Sequence, residues 1–296
     1  MLPKHLVATE ALGSLHTIER GANVFPLYLR PLQQTIEDAE GKREPRPNLS
    51  DAARAYLASV SGDAAALFHH ALATLHAPAY REENAGALRQ DWPRVPLPAT
   101  GDALRVSAAF GREVAALLDT ETPVPGVTEP PYRPTLLPLA PVRRVGGGNL
   151  NTATDLAVTA GWGHGGSGAP VMPARGKTTE REYTADERAA LTAGDADALA
   201  LLGATCYDVY LNEAAYWACV PVNVWRYTLG GYQVLKKWLS YRERRVLGRD
   251  LRTDEVREAT AIARRVAALL LLAPALDANY AAMAGATFAP LDKHAP

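Results

Sequence analysis

The chain has 296 residues, of which 48% are hydrophobic and 21% charged, and this ordinary globular composition excludes a protein that is disordered throughout. Its formal net charge of -1 excludes a protein that holds polyanions by bulk positive charge, so a nucleic-acid role requires local clusters of Lys and Arg. Two cysteines, Cys206 and Cys219, lie outside any C-x-x-C motif and predict neither a zinc site nor a disulfide framework. We expect a soluble, cytoplasmic protein, because the N-terminus lacks the apolar core of a signal peptide and the longest aliphatic run, residues 267–273, is too short to span a membrane.

Apolar residues at helical spacing predict a helical block that begins after residue 47. Before it, residues 24–29 form a candidate edge strand, because Pro26 cannot donate a backbone hydrogen bond. Four helices are predicted: residues 51–60 behind an N-cap at Asn48 or Ser50, then 63–76, 78–90 and 103–118. An extended connector, residues 91–98, separates the last two because its prolines disfavour helix.

Frequent prolines in residues 121–141 exclude a helix, so we interpret this stretch as a linker or a set of edge strands, with a boundary near residue 120. The chain that follows is predicted to contain glycine-rich loops at 146–148 and 161–168, short strands near 156–159 and at 177–184, a helix over 186–202 interrupted at Gly194, and a hairpin of residues 206–211 and 216–220. A last long helix begins at Thr253 and is expected to stop at Pro274, which has no amide hydrogen.

These elements predict an α+β fold with a helical block, a strand-rich middle segment and C-terminal helices. We divide the chain into four segments: a leading segment with an edge strand (1–47), a helical block (48–120), a strand-rich recognition segment with glycine-rich loops (121–229) and C-terminal basic helices (230–296).

Two catalytic motifs are incomplete. Gly176-Lys177-Thr178 is similar to the end of a phosphate-binding loop, but that loop requires glycine where this chain has Val171. Ser167 lies in a glycine-rich run that approaches a nucleophile elbow, but no apolar strand leads into it. We interpret both segments as loops without these activities.

Two further patterns have simpler explanations. His69, His70 and His76 do not have the i,i+4 spacing that zinc ligands on a helix need, so we interpret them as surface or core histidines. Glu129-Pro130-Pro131-Tyr132 differs in its first residue from the Asn/Asp-Pro-Pro-Tyr loop with which amino-methyltransferases hold a base amine. No strand and glycine-rich turn typical of an S-adenosylmethionine site accompany it, so we interpret it as a proline-rich linker.

Residues 222–242 combine aromatic side chains, the Gly230-Gly231 pair and a basic helix start. We predict a strand or extended segment before Gly230 and a helix after Gly231, where Leu235, Trp238 and Leu239 recur at helical spacing. The aromatic residues are Trp225, Tyr227, Tyr232, Trp238 and Tyr241. They serve either as packed core, which is the commoner role, or as base-stacking platforms. Residues 226–265 hold eleven Lys/Arg against five acidic residues, an excess of six that forms either a solvated face or a phosphate-binding surface beside a helix N-terminus.

Three blocks of residues occur in a particular order. They are Phe25-Pro26-Leu27-Tyr28-Leu29; Leu75-His76-Ala77-Pro78-Ala79-Tyr80-Arg81-Glu82 with the connector 91–98; and Trp225-x-Tyr227-x-x-Gly230-Gly231-Tyr232-x-Val234-Leu235-x-x-Trp238-Leu239 after Val209-Tyr210-Leu211-Asn212. In this order they resemble the C-terminal specificity, or target-recognition, region of type ISP restriction-modification enzymes and related adenine-specific DNA methyltransferases. The resemblance covers roughly residues 24–280.

The resemblance implies DNA target recognition. Such enzymes join a nuclease, a translocating helicase, an adenine-N6 methyltransferase and a target-recognition region, and their catalytic motifs lie upstream of the region represented here. We therefore expect a fragment or separate specificity subunit with no catalytic, cofactor or metal site of its own. S-adenosylmethionine is expected on the associated methyltransferase part. The expected partners are double-stranded DNA and the methyltransferase and helicase-nuclease parts, without a membrane.

Basic residues supply the candidate DNA contacts. Phosphate contacts are expected from Lys236, Lys237, Arg242, Arg244 and Arg245. Base contacts are expected from the loops 143–151 and 161–177, with Arg143, Arg144 and Lys177 as their candidate residues. The alternative function is a protein-interaction module that docks a separate methyltransferase or helicase-nuclease without contacting DNA.

Overall fold

The computed structural model describes residues 25–29, 45–164, 172–229 and 231–288.

Polar side chains set the starting points of the first helices. Four helices follow one another: α1 (Asp51–Val60), α2 (Ala64–His76), α3 (Pro78–Glu83) and α4 (Gly101–Leu118). Ser50, Asp63 and Thr100 each accept a hydrogen bond from an amide of the following first turn, where that amide has no partner within the helix. The four predicted helices are confirmed, although the third ends early, at Glu83.

The chain folds into two units. Unit 1 comprises Met1–Asp119 with Ala273–Pro296, and unit 2 comprises Thr120–Leu272. Helix accounts for about 49% of the structure and strand for 15%, in several small sheets, which confirms the predicted α+β class. The division into four segments stays a prediction.

Unit 1 depends on the close packing of α2 against α4. A Cβ added to Gly111 on α4 would lie 1.7 Å from the carbonyl oxygen of His69 on α2, so only glycine permits this approach. A buried cluster of apolar side chains lies beside it: Tyr56, Leu57, Ala66, Leu104 and Ala108. The predicted edge strand is present only over β1 (Tyr28–Leu29), which pairs antiparallel with β2 (Arg46–Pro47).

His70 is a buried core residue of unit 1. Its Nε2 lies 2.8 Å from the carbonyl oxygen of Pro96, which can only accept, so Nε2 carries the proton. Its Nδ1 then accepts from the hydroxyl of Ser107 at 2.7 Å, and that hydroxyl oxygen accepts from Asn279 at 2.9 Å. Burial lowers the pKa of His70, and the bond to Pro96 offsets only part of this effect.

Unit 2 is organised around an antiparallel sheet. The strands are β3 (Val142–Arg144), β4 (Gly163–His164), β5 (Met172–Pro173), β6 (Thr178–Glu182), β7 (Thr205–Tyr210), β8 (Ala215–Pro221), β9 (Thr228–Leu229) and β10 (Tyr232–Gln233). The main sheet has the order β3-β8-β7-β6, and β4-β5 and β9-β10 form separate pairs. The predicted hairpin, here β7-β8, and the polar strand β6 are confirmed.

Helices cover the apolar side of this sheet. In chain order they are α5 (Ala185–Thr192), α6 (Ala198–Leu202), α7 (Val222–Arg226), α8 (Val234–Arg242), α9 (Arg244–Leu247) and α10 (Thr253–Gly285). Side chains from the sheet, α7, α8, α10 and the segment before β3 line one apolar core region: Ala140, Val209, Trp217, Val220, Trp225, Leu235, Trp238, Leu239, Ala259 and Ala263. The interruption predicted at Gly194 falls between α5 and α6.

The strand expected near residues 156–159 is not formed. The buried residues there satisfy their carbonyls individually: Leu156 accepts from the amide of Leu251, Ala157 from the side chain of Asn212, and Val158 from the amide of Arg244. These partners come from loops and helix ends rather than from a neighbouring strand, so no ladder results.

The segment around the glycine pair differs from its prediction on one side. The helix expected after Gly231 is confirmed as α8. The strand or extended segment expected before Gly230 is confirmed only over β9, which pairs with β10 across the turn, whereas residues 222–226 form α7 instead. Gly231 has φ of +81°, which favours glycine in this turn, and Gly230 lies outside the described residues.

The last helix continues through Pro274 to Gly285, so the predicted stop is wrong. Pro274 is exposed, and the carbonyl that loses its helical partner can therefore turn towards water. Beyond the proline, Asp277 accepts from the amide of Ala79 at 2.8 Å, and Tyr280 donates to Glu83 at 2.7 Å. These tertiary bonds hold the second part of the helix.

α10 is also long and apolar enough to cross a membrane by length and composition, with a mean hydropathy of 1.6 in its most apolar window. Half of that window, 50%, is buried inside the protein, and the core helices of soluble proteins pass the same test. The buried half of the α10 window packs against the rest of the protein, as in the core helix of a soluble protein.

Gly111→Ala tests the packing of α2 against α4. Alanine favours helix by about 1 kcal/mol over glycine, but the clash with the His69 carbonyl should cost more, for a net loss of about 1–3 kcal/mol. Urea unfolding measures the change. Gly86→Ala is the matched control: Gly86 has φ of -67° and no atom near its added Cβ, so stability should be equal or slightly higher. If Gly111→Ala were as stable as Gly86→Ala, the close packing of α2 against α4 would be contradicted.

His70 should make stability depend on pH. Because its pKa is lowered in the folded state, the unfolded state binds more protons as the pH falls below about 6.5, and stability should decrease through that range. In urea unfolding at about pH 7 and about pH 5, the loss should be smaller for His70→Leu than for the wild type. Exposed His164→Ala serves as the control, with the wild-type loss expected.

Candidate nucleic-acid interface

The junction between α8 and α9 fixes the segment 158–164. Glu243 lies at this junction, is 5% exposed, and accepts from the amides of Gly161 at 3.3 Å and Trp162 at 2.7 Å. Arg245 donates through Nε to the carbonyl oxygen of Gly163 at 3.1 Å, and its Nη2 donates to the same oxygen. A Cβ on Gly163 would meet the Ser240 carbonyl oxygen at 2.1 Å, so β4 passes directly over α8.

Trp162 connects this segment to the main sheet. Its side chain is fully buried, its indole N–H donates to the Tyr210 carbonyl at 2.7 Å, and its ring packs edge-on against Trp225 at 5.5 Å. Gly176, with φ of +66°, lies so close that an added Cβ would be 2.1 Å from the Trp162 ring. The base of the β4-β5 hairpin is thus held between the sheet and α8, while residues 165–171 of the predicted loop lie outside the described residues.

Two of the predicted basic residues lie in one row across the main sheet. Arg143 is directly opposite Tyr216, Tyr216 is opposite Tyr210, and the Tyr210 amide donates to the Lys177 carbonyl at 3.0 Å. Directly opposite residues of an antiparallel sheet share a face. Arg143 and Lys177 are exposed and the tyrosines half-buried, so this row faces solvent, whereas the adjacent Trp217 belongs to the core. We call these four residues the sheet row.

Acidic neighbours engage Lys177 and Arg144. Lys177 Nζ lies 3.1 Å from Glu213 in the β7-β8 turn and 4.7 Å from the centre of the Tyr210 ring. Arg144 Nε lies 3.5 Å from the buried carboxylate of Asp155. Lys177 is therefore held at the sheet surface by an exposed partner, and Arg144 by a buried one.

The five predicted basic residues of α8 and α9 differ in their surroundings. Arg242 stacks on the Trp238 ring at 3.9 Å and pairs with Glu258 at 3.1 Å, so its guanidinium is engaged within the fold. Arg244 pairs with Asp250 at 3.2 Å. Lys237 lies over the rings of Tyr232 and Tyr241, at 4.6 Å from each.

Ion pairs neutralise several of the arginines counted in residues 226–265. Four of its five acidic residues pair with arginines: Arg242–Glu258, Arg244–Asp250, Arg249–Glu255 and Arg252–Asp254. The fifth, Glu243, binds backbone amides. Among the predicted phosphate contacts, Arg242 and Arg244 are therefore engaged by carboxylates, whereas Lys237 lies over two tyrosine rings and Arg245 holds the Gly163 carbonyl.

The aromatic residues of 222–242 divide between the two roles. Trp225 and Trp238 are 7% and 9% exposed and belong to the core. Tyr232 and Tyr241 are 39% and 46% exposed and lie on either side of Lys237. Packing explains the tryptophans, and the exposed tyrosines lie beside a cation.

The proline-rich motif at Tyr132 has a structural role. The Arg264 guanidinium lies 4.2 Å from the centre of the Tyr132 ring, and Arg133 donates its amide to Gly126, which closes the loop. One face of the Tyr132 ring is thus covered from within the fold. The sheets of the described ranges are antiparallel, so these residues do not provide the parallel strand and glycine turn that hold S-adenosylmethionine in doubly wound folds.

The fold brings the two cysteines together, which their spacing did not predict. Ligand atoms of Cys206, Cys219 and Glu187 all lie within 4.8 Å of one another, and the three residues are buried. Both carboxylate oxygens of Glu187 accept from Arg181, at 2.7 and 2.8 Å. The hydrogen bond with Cys206, together with burial, raises the pKa of Cys219, so its thiol stays protonated. Glu187, Cys206 and Cys219 are thus held together in the core by Arg181 and by the hydrogen bond between the thiols.

Sequence reasoning missed Tyr210, Tyr216, Glu213 and Glu243. The two tyrosines could have been found from the predicted hairpin, because residues equally distant from a turn face each other. Glu243 had no such signal, since its partners lie about 80 residues earlier in the chain.

Glu243→Gln should loosen the segment 158–164. Glutamine supplies one acceptor in place of two and directs an NH₂ group at an amide donor, so stability should fall by about 1–3 kcal/mol. Amide hydrogen exchange at Gly161 and Trp162 should accelerate with it. Glu182→Gln, which changes an exposed carboxylate 3.6 Å from Arg188, should leave both measurements unchanged; unchanged exchange in Glu243→Gln would contradict the assigned role.

Comparison with known proteins gives related folds and a family. The chain is similar to part of the chain in a cryo-EM structure of a DrdV–DNA complex, with a TM-score of 0.52 and 21% identity over 94% of this chain and 23% of that one. It is also similar to a nuclease-deletion mutant of the type ISP restriction-modification enzyme LlaGI in complex with a DNA substrate mimic, with a TM-score of 0.46 and 14% identity over 93% of this chain and 20% of that one. No curated protein matches.

The chain thus spans about a quarter or less of the length of those two proteins. The model of the type ISP C-terminal specificity domain matches residues 3–268, which is most of the sequence and includes the three blocks that carried the resemblance. This chain belongs to the family of type ISP C-terminal specificity domains.

Proposed function

We propose that this chain recognises the DNA target of a type ISP-like restriction-modification adenine-N6 DNA methyltransferase and binds duplex DNA without catalytic motifs of its own. The observation that carries this proposal is the family match over residues 3–268. DrdV and LlaGI, to which the chain is similar, are both described in complexes with DNA or a DNA mimic.

The arrangement of cations in unit 2 supports the proposal. Lys236 and Lys237 lie in the first turn of α8, where the helix dipole also favours phosphate. Lys237 is flanked by exposed Tyr232 and Tyr241, whose hydroxyls are suited to phosphate oxygens. These groups contact the DNA backbone, which positions the domain without reading sequence.

The remaining predicted basic residues differ in the role that we propose for them. Arg143, Arg144 and Lys177 lie on the main sheet beside the loops proposed to read bases. Arg242 and Arg244 primarily hold α8 and α9 through Glu258 and Asp250, and they contribute to the field around the DNA more than to direct contacts. Arg245 contributes charge while holding Gly163.

The catalytic functions belong to other parts of the enzyme. The chain spans a fifth to a quarter of the DrdV and LlaGI chains, leaving room for them. Methyltransferase and helicase-nuclease parts are the proposed partners, in the same polypeptide or as separate subunits, and the methyltransferase part binds S-adenosylmethionine. The proposed site of action is the cytosol.

A labelled mixed-sequence duplex tests the proposed function. The chain should form a complex whose affinity falls steeply between ~50 and ~200 mM salt, because phosphate contacts release counterions. A duplex that contains the true target should bind more tightly than the mixed sequence. A module that only docks a methyltransferase or helicase-nuclease would give no salt-dependent complex with DNA, and that result would overturn the proposal.

Lys236→Ala/Lys237→Ala should weaken binding to all duplexes alike and reduce the slope of log affinity against log salt by about two. The reason is that both ammonium groups neutralise phosphates without contacting bases. Arg54→Ala/Arg105→Ala, which removes two exposed arginines from helices of unit 1, is the charge-matched control and should leave the slope unchanged. An unchanged slope for the lysine variant would remove α8 from the proposed interface.

A further inference from the structure

The sheet row carries hydrogen-bond donors in a straight line. Arg143, Tyr216 and Tyr210 lie directly opposite one another on β3, β8 and β7, and Lys177, immediately before β6, accepts a hydrogen bond from the Tyr210 amide. Strands lie about 4.8 Å apart, so the row extends over about 14 Å. It therefore presents cations at both ends and two phenol hydroxyls between them.

The two tyrosines are rigid parts of this row. Their rings stack with centres 5.3 Å apart and planes inclined by 27°, and both strands are fixed by the β7-β8 ladder. On the other face of the same strands, Val209 and Trp217 are 2% and 3% exposed. The row is consequently presented to solvent on a packed support, which reduces the entropy that binding would cost.

One acidic residue lies at the end of the row. Glu213 has a side chain that is 91% exposed, and both of its oxygens lie 3.1 Å from Lys177 Nζ. The carboxylate holds the ammonium over the Tyr210 ring, at 4.7 Å from its centre. An ion pair this exposed is weak, so a phosphate can replace the carboxylate at small cost.

We propose that the sheet row binds the phosphate backbone of one DNA strand, and that Lys177 exchanges Glu213 for a phosphate oxygen when it does so. This inference rests on the proposed function, identifies a surface of its interface, and assigns Arg143 and Lys177 to phosphates rather than to bases. The ligand is a polyanion that offers only acceptors along the line, which matches a row whose outward groups are ammonium, guanidinium and hydroxyl. Glu213 then faces the DNA and repels it, which lowers the affinity for every sequence.

Glu213→Gln is the discriminating variant. It should raise affinity for a labelled mixed-sequence duplex about two- to fivefold at low salt, because Lys177 is released and the repelling charge is removed. Lys177→Ala should lower affinity and reduce the salt slope by about one. In the Lys177→Ala background, the gain from Glu213→Gln should shrink markedly, since the released ammonium is missing. A gain of the same size in both backgrounds would show simple charge repulsion and overturn the exchange.

Two further variants test the row itself. Tyr210→Phe and Tyr216→Phe keep the stacked rings and remove only the hydroxyls, so each should bind DNA about threefold more weakly with an unchanged melting temperature. Glu182→Gln is the matched control for Glu213→Gln. Glu182 is also an exposed carboxylate with a basic partner, but it lies at the far end of β6, so its substitution should not change DNA binding.

The outcomes separate this inference from the proposed function. If the wild type shows no salt-dependent complex with DNA, the proposed function itself fails. If the wild type binds DNA but neither Lys177→Ala nor the tyrosine variants change its affinity, the sheet row is not the contact surface and the proposed function stands.

Discussion

The buried carboxylate of Glu243 is the interaction on which the arrangement of unit 2 depends. It ends α8, begins α9 and at the same time binds the amides of Gly161 and Trp162. Burying a carboxylate is unfavourable unless hydrogen bonds replace its water, and two backbone amides supply that replacement. Through Trp162, whose indole donates to the Tyr210 carbonyl, the same contact connects the basic helices to the end of the main sheet.

The sequence predicted the helix starts correctly, because the interactions that stabilise a helix start involve residues only a few positions apart. Ser50, Asp63 and Thr253 precede or begin helices because capping and first-turn charges act within a few residues. Pro274 was misjudged because its cost of about 3 kcal/mol is local, whereas the contacts of Asp277 and Tyr280 that outweigh it come from distant segments. The same limit explains α7, a single turn whose placement depends on packing of Trp225 rather than on propensity.

The candidate interface was predicted in its charges but not in its geometry. Counting Lys and Arg identified the α8–α9 region, yet the count could not show that Arg242 stacks on Trp238 and pairs with Glu258. Nor could it show that Arg143 and Lys177, 34 positions apart in sequence, share one face with Tyr210 and Tyr216. Strand order and register decide such neighbours, and register here also includes an irregularity between Tyr207 and Val209.

A chain with a net charge of -1 can present a basic surface only if its carboxylates lie away from that surface or are paired within the fold. In unit 2 the carboxylates of Asp250, Glu255 and Glu258 are each held by an arginine on the helical side, and Glu243 is held by amides. These pairs neutralise the arginines that hold α8, α9 and the start of α10 in place. Because an ion pair's field decays quickly while that of a cation without a nearby anion extends to a Debye length of about 8–10 Å, the count of eleven Lys/Arg overstates the positive potential of this side of unit 2.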